Sequence, residues 1–153
     1  MRGYLKAHIA CYDDSLVPSV RPTGPYVHDG TKLVRLVEGA RDVSSVRADG
    51  AYAWRSNSQV IENIGAVPYL KPRKDARATS RGYPAWRSMM LRYNSDREAW
   101  MEEYRKRWIV ESVFSSVKRR LGPCLFSRRA YTQRRELVMK FIVHNLILRA
   151  RRR

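Results

Sequence analysis

The chain is poor in acidic residues, in cysteine, in histidine and in long apolar runs. Cys11 and Cys124 stand far apart and form no metal-type cluster, which excludes a structural zinc site built on them. As free thiols they suit a reducing compartment. No apolar run approaches the roughly 18 residues of a membrane-spanning helix, and Met1-Arg2-Gly3-Tyr4-Leu5-Lys6 lacks a signal-peptide core. A cytoplasmic protein with no membrane partner is expected. His8, His28 and His144 are separated and show no metal spacing, and there is no internal repeat or low-complexity tract. Most informative is the shortage of carboxylates. Only 14 Asp and Glu face 31 Lys and Arg, a net charge of +17. That excess calls for a polyanionic partner, most simply nucleic acid. The length of 153 residues and a hydrophobic content of 44% fit one globular domain with a real core.

Residues 4–12 read as a strand, Asp13-Asp14-Ser15 as a turn and 16–20 as a short strand ended by Pro22 and Gly24. A helix starts near His28-Asp29-Gly30-Thr31 and buries Leu33, Leu36 and Val37. A strand over 43–48, a polar helix over 56–63 and an edge strand over 66–72 follow. The order strand, strand, helix, strand, helix, strand is an α/β pattern. Residues 73–95 are basic, carry Gly82 and Pro84 and read as a loop or insertion. Two helices close the chain, one over 97–121 stopped by Gly122-Pro123, the other over 131–150. The second leads into the basic run Arg149–Arg153, a phosphate contact or a solvated end.

Tyr104, Arg107, Glu111 and Lys118 have the spacing Y-x2-R-x3-E-x6-K. At about 100° per residue, one continuous helix would hold them within roughly 60° of one another. A carboxylate flanked by cations can hold a metal while its neighbours hold phosphates. A solvated stripe of charge pairs is the plainer alternative. Asp49 is expected at the carboxyl end of a strand, where ligands bind in open α/β sheets, although an Asp before Gly often only caps a turn.

These residues resemble a known family. Ala48-Asp49-Gly50-Ala51-Tyr52, Leu70-Lys71-Pro72-Arg73-Lys74 and the Tyr104–Lys118 pattern look like the insertion-sequence transposases of the DDE type. Lys6-Ala7-His8, His28-Asp29 and Val143-His144-Asn145-Leu146 are similar to further segments. The resemblance implies an RNase H-like mixed sheet with flanking helices, and transposition by metal-dependent DNA cleavage and strand transfer. It implies Asp49 and Glu111 as catalytic ligands of Mg²⁺ or Mn²⁺, which prefer hard oxygen donors. Tyr104, Arg107 and Lys118 would hold DNA near the cleavage point. The implied partners are transposon-end and target DNA, with a homodimer or an upstream transposase half as protein partner.

The family places a first acidic residue on a first strand, and here residues 4–12 match its second strand. The expectation is therefore a partial catalytic domain lacking that strand, inactive alone. Asp13 and Asp14 fit a turn better than a substitute ligand. Of the tryptophans, Trp86, between Arg81 and Arg87, is the best candidate to face DNA, while Trp100 and Trp108 read as core. His28 reads as a polar cap and His144 as a satisfied core histidine. The sequence leaves two rivals. One is a non-catalytic DNA-binding protein or inhibitor of intact transposase; the other, weaker, is a ribonucleoprotein component.

Overall fold

The computed structural model describes residues 4–152. In chain order the elements are β1 (Lys6–Ala10), β2 (Ser19–Thr23), a 3-10 turn (Asp29–Lys32), α1 (Leu33–Val37) and β3 (Ser45–Ala48). A second 3-10 turn (Gly50–Tyr52), α2 (Arg55–Asn63), β4 (Val67–Leu70), α3 (Pro84–Ser95), α4 (Arg97–Arg105), α5 (Trp108–Leu121) and α6 (Ala130–Arg151) complete it. The α/β class with flanking helices is as expected. The strands pair in twos: β1 with β2 antiparallel, β3 with β4 parallel. The chain forms two compact units, His28–Arg107 and a second made from Met1–Val27 and Trp108–Arg153.

In the contiguous unit, residues 28–107, β3 and β4 run in register from Ser45↔Val67 to Ala48↔Leu70. Parallel neighbours need a crossover, and α2 supplies it. Ile61 of α2 is buried with Leu33, Val37, Ala66, Leu70, Trp86, Met89 and Met90. The last three show that the expected loop over 73–95 is half helix. Pro84 stands in the first turn of α3, where its missing N–H is no loss, so it starts a helix instead of breaking one. Trp86, Met89, Met90 and Tyr93 then recur at the spacing of one helical face.

The expected helix over 97–121 is also corrected, because it breaks at Lys106 and Arg107 into α4 and α5. No Gly or Pro marks the place. Instead the backbone tightens to three-residue bonds: Lys106 N–H donates to Glu103 O at 3.3 Å and Arg107 N–H to Tyr104 O at 3.0 Å. Glu103 locks the turn by pairing with Lys106 and, at 3.1 Å, with Arg47 of β3.

In the terminal unit, β1 and β2 pair from Lys6↔Thr23 to Ala10↔Ser19. β2 begins three residues later than expected and continues through Pro22. Val17 explains the late start: its N–H donates to Asn145 Oδ1 at 2.9 Å, and its carbonyl accepts from Asn145 Nδ2 at 2.8 Å. Both of its backbone groups are thus committed to α6 and not to a ladder. The core is Val17, Val113, Val117 and Phe141, with Phe114 edge-on to Phe141 at 5.7 Å. His144 is buried beside Asn145, its Nε2 3.1 Å from Ser15 O, but its Nδ1 is buried without a hydrogen-bond partner among the described residues, so the expected core histidine is only half satisfied. Asp14 accepts from Leu16 N–H and pairs with Arg152 at 2.7 Å, which makes it a turn residue. Arg153 of the basic run lies outside the described residues.

Candidate catalytic acids and a basic cleft

Asp49 follows the last residue of β3 and caps the second 3-10 turn. Its backbone is extended, and Oδ1 accepts from Ala51 N–H at 2.9 Å. The carboxylate stands on the solvent side. The first 3-10 turn is capped in the same way by His28, whose Nδ1 accepts from Gly30 N–H at 3.2 Å. Asn57, buried in α2, binds the two turns together: its Nδ2 donates to Gly30 O and to Tyr52 O, each at 3.0 Å. Gly30 has to be glycine, since a Cβ there would lie 2.7 Å from Ala51 O and 2.8 Å from the Trp54 ring.

The Tyr52 phenol reports what this packing brings together. Burial pushes its pKa up, and the carboxylates of Asp29 and Asp49 push it further. Asp29 in the first turn and Asp49 at the cap of the second thus lie on the two turns that Asn57 joins. In the sequence the His28-Asp29 pair carries two weak signals, a helix-start cap and the similarity to a family segment, and neither places Asp29 near Asp49.

Glu111 belongs to the other unit. It is exposed in the first turn of α5, where a carboxylate also suits the helix dipole, and Lys118 is exposed two turns further along the same face. Tyr104 and Arg107 are not on that helix, so the four residues of the pattern do not share one helical stripe. Tyr104 is only 8% exposed and stacks on Trp100 with ring centres 5.4 Å apart. Its ring packs in the contiguous unit, against Trp100. Two cations stand over that ring, Lys71 at 6.0 Å and Arg107 at 5.8 Å.

Trp86 is corrected. It is 4% exposed, a core residue, and its indole N–H donates to Arg77 O at 3.0 Å. Trp100 is buried as expected, whereas Trp108, at the start of α5, is 60% exposed.

Among the described residues no three His, Cys, Asp or Glu side chains form a group able to hold a metal ion. Asp49 in one unit and Glu111 in the other have the right oxygen chemistry, but neither unit by itself completes a divalent-metal site.

Next to Gly50 opens a cleft of about 790 Å³ within the contiguous unit. Arg55, Arg73, Arg77 and Arg81 line it against a single carboxylate, Asp75. Arg55 ties the rim together: its Nε donates to Thr79 O at 3.2 Å, and its guanidinium lies 5.4 Å from the centre of the Trp86 ring. Arg81 and Gly82 both have positive φ, 43° and 84°, in a turn closed by Tyr83 N–H donating to Ser80 O at 2.9 Å. Glycine adopts that backbone freely; Arg81 holds it under strain.

Residues 2–146 match the protein family described as "Transposase DDE domain". No curated protein matches the chain, and no solved structure does. No helix among the described residues is long and apolar enough to cross a membrane.

Proposed function

The chain belongs to the transposase DDE-domain family, and from that premise we propose that it is the catalytic part of an insertion-sequence transposase. The family match over nearly the whole chain carries this reading, and Asp49 at the carboxyl end of β3 supports it. DNA is the partner, and the net charge of +17 suits it. In this reading the activity is divalent-metal-dependent strand cleavage and strand transfer, in the cytoplasm, with Asp49 and Glu111 as two of the metal ligands. A bound Mg²⁺ or Mn²⁺ would supply charge stabilisation for displacement at phosphorus.

The chain's own residues have separable tasks. Asn57 and Gly30 fix the turn that presents Asp49. Lys71 and Arg107, gathered at the Tyr104 ring, offer positive charge to phosphates, and Lys118 does so on α5. In this reading a third acidic ligand joins Asp49 and Glu111, supplied by a companion transposase segment or a second copy. The chain alone is then expected to bind metal weakly and not to cleave.

The test is Mn²⁺ binding in the presence of DNA, followed by electron paramagnetic resonance. Asp49→Asn and Glu111→Gln should each weaken binding by about tenfold or more. Unchanged Mn²⁺ binding in both variants would falsify the ligand assignment.

A further inference from the structure

We propose that the cleft beside Gly50 binds single-stranded DNA, taking phosphates on Arg73, Arg77 and Arg81 and unpaired bases on Trp54 and Tyr83. The proposal rests on the DNA reading above and adds to it a site and a form of the polymer. The three arginines are exposed and form no ion pair among the described residues. Guanidiniums gathered around one cavity with a single carboxylate repel one another, and an anion relieves that repulsion. The strained backbone at Arg81 points the same way, since a glycine or asparagine would form the turn more easily.

The aromatic residues decide between single and double strand. Trp54 and Tyr83 line the cleft and are 37% and 38% exposed. Trp54 is backed by the His28 ring, 4.9 Å away, so it forms a braced platform. A duplex keeps its base faces stacked inside and offers only its phosphate rim. Unpaired bases present free faces that stack on such rings, while the backbone follows the cations. Gly50 on the cleft wall places a bound nucleotide next to the turn that carries Asp49.

The experiment uses the full chain, a labelled oligothymidylate of about ten nucleotides and a duplex of similar length, with binding read by anisotropy at several salt concentrations. The variant R73A/R77A/R81A is set against R128A/R129A/R134A, which removes the same charge from exposed positions elsewhere. The cleft variant should bind the single strand at least about tenfold more weakly than the control variant, with a salt slope lower by roughly two. Tyr83→Ala should weaken single-strand binding several-fold and leave duplex binding intact. Equal weakening in both triple variants, with duplex binding kept, overturns the cleft and leaves the family reading standing. Failure of the wild-type chain to bind either DNA overturns both.

Discussion

Residues 28–107 close around a continuous apolar core in which Trp86, Met89, Ile61 and Leu70 are almost wholly buried. The unit formed by residues 4–27 and 108–152 has a smaller core of three valine and phenylalanine partners around Val17. It relies more on polar bonds between distant parts of the chain: Asn145 with Val17, His144 with Ser15, Arg152 with Asp14. A contiguous segment can bury apolar surface through neighbours in sequence. A unit assembled from two separated segments has to specify how they meet, and directional hydrogen bonds do that better than non-directional burial.

The largest effects should come from breaking each core in turn. Trp86→Ala removes a buried indole and should cost about 3–5 kcal/mol, and Phe141→Ala a similar amount. Hydrogen exchange should place the lost protection of the first in residues 28–107 and of the second in the other unit. Protection lost evenly across the chain in both variants would mean that the comparison has no energetic content.

Asn145→Leu is next. It leaves the N–H and carbonyl of Val17 without their partner, at a cost of about 1–3 kcal/mol for each buried group. Asn145→Asp keeps an acceptor for the Val17 N–H and should lose less. Urea midpoints for the two variants check this, and equal losses would contradict a two-way bond.

The smallest effect is one of pH, and it touches both units. Lys106 and then Arg47 hold the Glu103 carboxyl below its usual range. Slight burial pushes Asp14 up, but the Leu16 N–H and the Arg152 guanidinium outweigh it, so Asp14 also titrates low. A carboxyl depressed in the folded state binds its proton more readily when unfolded. Its contribution is therefore present above the ordinary values of 4.5 and 3.8, and is lost as pH falls through the lower folded values. Thermal midpoints of Glu103→Gln and Asp14→Asn should fall less steeply than wild type below about pH 4.5. Slopes equal to wild type would remove the two ion pairs from the account.

The strand and helix order was legible in the sequence because alternation, turn residues and Gly-Pro stops are local signals. Asp49 at the end of β3 was legible for the same reason. Three features were hidden. Pro84 reads as a breaker unless the face Trp86-Met89-Met90-Tyr93 behind it is noticed. The break at Lys106-Arg107 has no breaker residue at all; beside it Glu103 is held by Arg47, a partner 56 residues away in sequence that no local pattern reveals. The proximity of Asp29 to Asp49 depends on Asn57 and Gly30 joining two turns, and neither residue type announces such a role.

The bond pair between Asn145 and Val17 also imposes an order of events during synthesis. The two residues are 128 positions apart. At a translation rate of about 5–20 residues per second, Val17 is made roughly 6–25 s before its partner. Residues 28–107 have everything needed for their own core well before then. The β1–β2 hairpin must meanwhile keep its apolar face and the Val17 backbone in water. Residues 4–27 are thus made before the contiguous unit but secured after it, and they are the part most in need of a chaperone's protection while α6 is still being translated.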